Sequence, residues 1–276
     1  MTNPPDSFSR PAAADIQRLY RAVSQDARYG HYVRIPRRIC LCLDYFKVAF
    51  SRRTVRERLH SYYLFIGVVD DVIDSGRVEA GKEILQHLDD RTACFGEEAR
   101  RSSARLVTEV LKCHISPELY PLVRTKLEEL YGSVVMERKA QTLDAYVEGR
   151  KAVGCLTAEV SYLLIRPLLD GGGDDLCRFL QRVGEVGCLI DSVIDLRADA
   201  REGLLGFKPT RRDMLKLAGR TLGEGLKLSL EHPRLFGLFM ESIGDDVLDQ
   251  VRARRTSLVA VRAGGAESGY ACERAT

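Results

Sequence analysis

The sequence predicts an all-α protein, a single-domain bundle of about ten helices. Three observations predict it. Apolar residues recur at i, i+3, i+4 and i+7 spacings through long segments. No run alternates apolar and polar residues as a half-buried strand does. Pro36, Pro117, Pro167, Pro209 and Pro233 fall between the segments or at their starts, where helices begin or end.

Taken in order, "DIQRLYRAVSQ" repeats Ile16, Leu19, Tyr20 and Val23 on one helical face, and "RTVRERLHSYYLFIGVVDDVID" continues such a face from Val55 through Leu59 to Tyr62 and Tyr63. "ARRSSARLVTEVLKC" and "PELYPLVRTKLEELYGSVVMERKA" carry the same period. So do "LDAYVEGRKAVGCLTAEVSYLLI", "DLCRFLQRVGEVGCLIDSVIDLRADA" and "RRDMLKLAGRTLGEGLKLSL". "DGGGDD", 170–175, reads as a loop between two long helices. There is no internal repeat and no linker long enough to divide the chain. Residues 1–11 read as a frayed N-terminus, 12–255 as the helical domain and 256–276 as a C-terminal tail.

The chain has 276 residues, 45% of them hydrophobic and 29% charged, which suits one large domain with a substantial core. A net charge of +3 is too small for a nucleic-acid footprint. The eight cysteines form no CxxC pair and mostly sit among apolar residues, so they read as reduced thiols in a cytoplasmic protein. The five histidines lack HExxH spacing, which argues against zinc. No signal peptide is evident, and the longest apolar runs are too short to span a bilayer. Peripheral lipid contact and a homodimer stay open.

"LFIGVVDDVIDSG", 64–76, sets the functional question. An apolar run leads directly into Asp70, Asp71 and Asp74, and buried carboxylates need a surface, a cationic partner or a metal. At about 100° per residue, Asp70 and Asp74 are about 40° apart on one face, with Asp71 beside them. Downstream, "CLIDSVIDLRADAREG" places Asp191, Asp195 and Asp199 at steps of four, spread over about 80°. Two acidic helix faces can meet across a bundle, and Mg²⁺ suits the space between them: it takes oxygen ligands and is often shared between carboxylates and a substrate phosphate. Such a pair of faces would hold a diphosphate, with Arg completing the clamp through its planar fork.

A single cluster of this kind is more often a solvated helix face. "GDDVLD", 244–249, nearly copies the first motif, but it follows Gly244 and precedes "RARR". Asp245 and Asp246 therefore read as helix N-terminal acids with a structural role.

The motifs together resemble the class I isoprenoid synthase superfamily: terpene cyclases, squalene and phytoene synthases, and chain-elongating prenyltransferases. "DDVID" is similar to the aspartate-rich DDxxD motif, and "DSVIDLRAD" has the spacing of the second metal motif. Terpene cyclases usually place Asn, Ser or Thr, and Glu there, whereas squalene and phytoene synthases have a DxxxD pair. Here all three are Asp. "ADAREGLLGF" and Tyr63, seven residues before Asp70, resemble the phytoene synthases. "YVEGRKAVG", 146–154, resembles instead the diphosphate-sensing segment of microbial terpene cyclases, with Arg150 and Gly154 at the matching places. The Arg-Tyr pair with which many cyclases close their site has no evident match.

The resemblance implies a helical bundle with a deep apolar cavity, and a mouth closed by Mg²⁺ and diphosphate. Asp70, Asp71 and Asp74 would bind metal from one wall and Asp191, Asp195 and Asp199 from the other. Arg150, and secondarily Arg201, would contact diphosphate, and Tyr63 would line the cavity. The implied activity is ionisation and cyclisation of a linear C10–C20 prenyl diphosphate. The alternatives are head-to-head condensation of two prenyl diphosphates, a catalytically inactive helical partner subunit, and an unrelated bundle with solvated acidic faces.

Overall fold

The computed structural model describes residues 10–88, 95, 101–237 and 244. Nine α-helices are present among them: α1 (Arg10–Ser24), α2 (Ile35–Tyr45), α3 (Arg52–Asp74), α4 (Val78–His87), α5 (Ser103–His114), α6 (Tyr120–Arg138), α7 (Leu143–Ile165), α8 (Gly173–Glu202) and α9 (Arg211–Glu231). The all-α expectation holds. Its one local exception is a two-residue antiparallel bridge, Ala49–Phe50 against Leu169–Asp170, which ties the approach to α3 to the approach to α8.

Local chemistry sets the helix ends. Ser51, Ser102 and Thr142 cap α3, α5 and α7, each accepting a backbone N–H from three residues on. Pro36 and Pro121 sit in first turns, where a missing N–H costs nothing. Gly172 (φ 99°) opens α8 and Gly203 (φ 75°) closes it, both in the left-handed region that favours glycine. The stop at Gly203 falls four residues after Asp199, so the acidic face occupies the last turns of α8.

The chain divides into two compact units, Met1–Glu231 and His232–Thr276. In the second, the described residues contain one short 3-10 turn, Pro233–Leu235. In the first, α3 is central: Leu59, Tyr62, Leu64, Phe65 and Val68 are buried, and it packs on α2, α4, α5 and α7. The α7–α8 pair is the most extensive helix contact, and α6 and α9 lie against it. Gly154 and Gly184 fix its crossing, because a Cβ on Gly154 would lie 2.3 Å from the Gly184 carbonyl oxygen. A second apolar cluster, Tyr146, Val147, Leu189, Leu196 and Leu217, joins α7, α8 and α9, with Leu205 and Phe207 of the α8–α9 connection packed on it. Among the described residues no helix is long and apolar enough to cross a membrane.

The sequence reading omitted α2 and α4. Both are short helices, of 11 and 10 residues, and their apolar positions are interrupted by Arg37 and Arg38 in one and by Gly81 in the other.

Candidate functional site

The apolar face of α3 runs from Val55 to Ile73 and carries the first acidic cluster out at its C-terminal end. Asp70 is half-buried and accepts the Tyr32 hydroxyl at 2.7 Å. Asp71 accepts Arg28 Nη1 at 2.9 Å and the Tyr29 hydroxyl at 3.2 Å. Asp74 pairs with the guanidinium of Arg138, at the end of α6, and Arg138 Nη1 also donates to the Ile73 carbonyl at 3.3 Å.

The second cluster lies on the last turns of α8. Asp191 Oδ2 is 3.5 Å from His31 Nε2. His31 and Tyr32 are neighbours whose rings meet edge to face at 5.6 Å, so adjacent residues of one 3-10 turn hold a carboxylate from each set. Asp195 is exposed. Asp199 is half-buried and its carboxyl is pushed up to about 6, first by burial and then by the charge of Asp195, with a further contribution from Asp70. Arg138 is held below its usual range by burial, against the opposing fields of Asp70 and Asp199. The end of α3, the end of α6 and the last turns of α8 thus lie within reach of one another's charge.

Arg150 projects from α7 into that gathering. Its side chain is 23% exposed and makes three contacts: Nε to Ser192 Oγ at 2.9 Å, Nη1 to Glu137 Oε1 at 3.4 Å and Nη2 to the Cys188 carbonyl at 3.5 Å. Burial alone would lower its pKa, but the negative neighbours, Glu137 foremost and Asp191 further out, more than offset it and hold the guanidinium charged. Ser192 and Cys188 belong to the turns that bear Asp191, so Arg150 is tied to the second acidic helix.

Glu137 is one of several residues at this site, with Arg28, Tyr29, His31, Tyr32 and Arg138, that the sequence motifs do not mark. Its side chain is only 10% exposed, burial pushes its carboxyl up, and Arg150 opposes that shift. Its Oε2 is buried and has no hydrogen-bond partner among the described residues. Its one signal in the sequence is the apolar lead-in "SVVME", a weaker form of the pattern before Asp70.

The other expected residues lie as follows. Tyr63 is buried and shares a 2.9 Å hydrogen bond with Ser161 of α7, so it is placed between α3 and α7. Arg201 is exposed and donates back along its own helix to the Arg197 carbonyl at 3.1 Å. Asp245 and Asp246 lie outside the described residues. A hollow of about 380 Å³ lies elsewhere, between α7, α8 and α9. Asp144, Glu148, Lys151, Arg220, Glu224 and Lys227 ring it, so it is too polar to be the expected apolar cavity.

No protein-family model, curated protein or solved structure matches the chain.

Among the described residues, no three Asp, Glu, His or Cys side chains are close enough to form a ready metal centre. The donor set nonetheless fits a hard divalent cation. It is all carboxylate oxygen, it includes the unpartnered Glu137 Oε2, and Asp199 is raised by burial first and then by the charge of Asp195. Arg138 and Tyr32 hold Asp74 and Asp70 in this arrangement, and a cation would take over those oxygens.

Proposed function

We propose that this chain is a Mg²⁺-dependent class I terpene synthase. It ionises a linear allylic prenyl diphosphate of C10–C20 and cyclises or rearranges the resulting carbocation, releasing diphosphate. The observation that carries this reading is the convergence of three groups at one end of the bundle: Asp70 on α3, Asp191 and Asp199 on α8, and Arg150 tied to α8 through Ser192. The ordered motifs "DDVID", "YVEGRKAVG" and "DSVIDLRAD" support it.

Asp70, Asp71 and Asp74 would hold Mg²⁺ from one side and Asp191, Asp195 and Asp199 from the other. Bound there, Mg²⁺ would neutralise the departing diphosphate charge and act as a Lewis acid on the leaving group. Arg150 stays charged at every working pH and would contact diphosphate oxygens through its planar fork. The Tyr32 hydroxyl, raised well above its usual range by burial and by Asp70, stays protonated and orients Asp70 as a donor. The prenyl chain would occupy a deep apolar cavity of the isoprenoid-synthase kind, with Tyr63 in its wall. Water must be kept from the cation there, and aromatic faces stabilise positive charge.

The paired Asp195 and Asp199, followed by "ADAREG", favour a second reading, head-to-head condensation of two prenyl diphosphates. One experiment separates the readings: incubation with C10 to C20 prenyl diphosphates and Mg²⁺, followed by product mass and the diphosphate-to-product ratio. A cyclase gives one diphosphate per hydrocarbon and conserves the carbon count. A product of doubled carbon count would replace the first reading with the second. No turnover of any chain length would leave a non-catalytic helical partner subunit.

A further inference from the structure

The outer face of α9 is apolar and open. At about 100° per residue, Leu215, Leu222, Leu226 and Leu230 fall within about 80° of one another, opposite the buried Leu217 and Leu228. Their exposures are 75%, 74%, 54% and 71%, which makes a continuous leucine stripe about 22 Å long. Cations dominate its border. Lys208, Arg211, Arg212 and Lys216 are exposed where the chain enters the helix, and Arg220, paired with Asp144, and Lys227, paired with Glu224, follow along one edge. Two of the three acids of α9 are engaged elsewhere, and the third, Glu231, is exposed at the helix end. Asp213 accepts the Thr210 N–H at 2.9 Å and the Thr210 hydroxyl at 2.7 Å as a helix cap, and Glu224 is held by Arg182 and Lys227.

We infer that α9 docks this protein on an anionic lipid surface, with the four leucines entering the acyl boundary and the bordering Lys and Arg meeting the headgroups. An exposed apolar face with a basic border matches the chemistry of an interfacial helix. Charge selects lipid over a second copy of the chain. The exposed cations Lys208, Arg211, Arg212 and Lys216 cluster at the entry end of the stripe, against the single exposed acid Glu231 at its far end, so the charge suits an extended anionic surface. The connection from α8 to α9 is held by Leu205 and Phe207 in the apolar cluster, so the docked helix is fixed to the helix that carries Asp191, Asp195 and Asp199. This inference stands independently of the catalytic reading.

The test is co-sedimentation of the full-length protein with vesicles of phosphatidylcholine alone or mixed with phosphatidylserine, alongside sedimentation velocity without lipid. Binding is expected only with the anionic vesicles and should weaken as salt rises. The exposed-site pair Leu222→Gln with Leu226→Gln should weaken it about tenfold or more. Arg212→Gln with Lys216→Gln should weaken it several-fold and flatten its salt dependence. Absence of binding to either vesicle would overturn the inference. So would binding that neither pair of substitutions changes, or a leucine-dependent dimer that does not bind vesicles.

Discussion

The Tyr32 hydroxyl donates to Asp70 at 2.7 Å, and the adjacent His31 stands 3.5 Å from Asp191 on another helix. One turn of chain thus touches both acidic faces. Under the proposed function it joins Asp70 and Asp191 in one site, whereas "GDDVLD" reads from its sequence context as helix-terminal acids. Asp70→Asn or Asp195→Asn should lower diphosphate release about a hundredfold or more, since each removes an anionic oxygen from the set proposed to hold Mg²⁺. Asp245→Asn with Asp246→Asn should leave it nearly intact. Steady-state diphosphate release checks both. Abolished turnover in the Asp245/Asp246 variant, with its fold retained, would mean that the functional copy is the downstream one.

Gly154 matches a motif position, but its physical reason is tertiary. A Cβ there would lie 2.3 Å from the Gly184 carbonyl oxygen, so α7 and α8 would have to separate. Arg150 lies one turn earlier on α7 and reaches Ser192 across that same interface. Gly154→Ala should cost about 1–3 kcal/mol in urea unfolding and loosen the Arg150–Ser192 contact. An unchanged midpoint would show that the crossing has slack and that the glycine is not what sets it.

The legible parts of the site were those with a period. The α3 face runs apolar without interruption into Asp70, and the α8 aspartates recur every fourth residue, so both sets could be read from spacing alone. The all-α class was legible for the same reason, since seven amphipathic segments dominate the described chain. Tyr32, His31, Tyr29 and Arg28 were invisible, because they sit in or beside 3-10 turns with no repeating pattern to betray a direction. Glu137 and Arg138 were invisible because one carboxylate and one guanidinium at a helix end look like ordinary solvated termini. Only the packing of α6 against α7 turns them inward. Arg201 is the converse case. A motif position suggested diphosphate contact, and the local helix geometry turns the side chain along its own backbone.

Two histidines outside the site predict a pH dependence of stability. His60, which shares a 3.0 Å hydrogen bond with Tyr20, and His114 are both held below 6.5, in each case first by burial and then by a nearby arginine. In the unfolded chain they protonate near 6.5, whereas in the folded protein they resist, so the unfolded state binds more protons in that window. Their contribution to stability is therefore present above 6.5 and lost as pH falls below it. The melting temperature should drop between about pH 6.5 and 5. His60→Gln with His114→Gln should flatten that slope, and an equally steep drop in this variant would assign it to other groups.

Arg150 poses the sharpest test, because its truncation confounds chemistry with folding. Glu137 and Arg150 are 10% and 23% exposed and compensate each other's charge. Arg150→Ala would leave Glu137 buried without its counter-ion, at a cost of about 3 kcal/mol, and a loss of activity could then reflect a damaged fold. Arg150→Met combined with Glu137→Leu removes both charges at similar volume and should recover most of that stability. It should not recover diphosphate release, because the planar fork is gone. Arg150→Lys keeps a charge in place but offers no bidentate geometry, and should fall between the parent and the other two variants in turnover with near-native stability. Thermal melts and diphosphate release, measured on all three variants and the parent, separate the roles. If the Met/Leu pair melts like the parent and still releases diphosphate at the parent's rate, Arg150 serves only to neutralise Glu137, and the diphosphate contact must be sought at another cation of the site, Arg138 first.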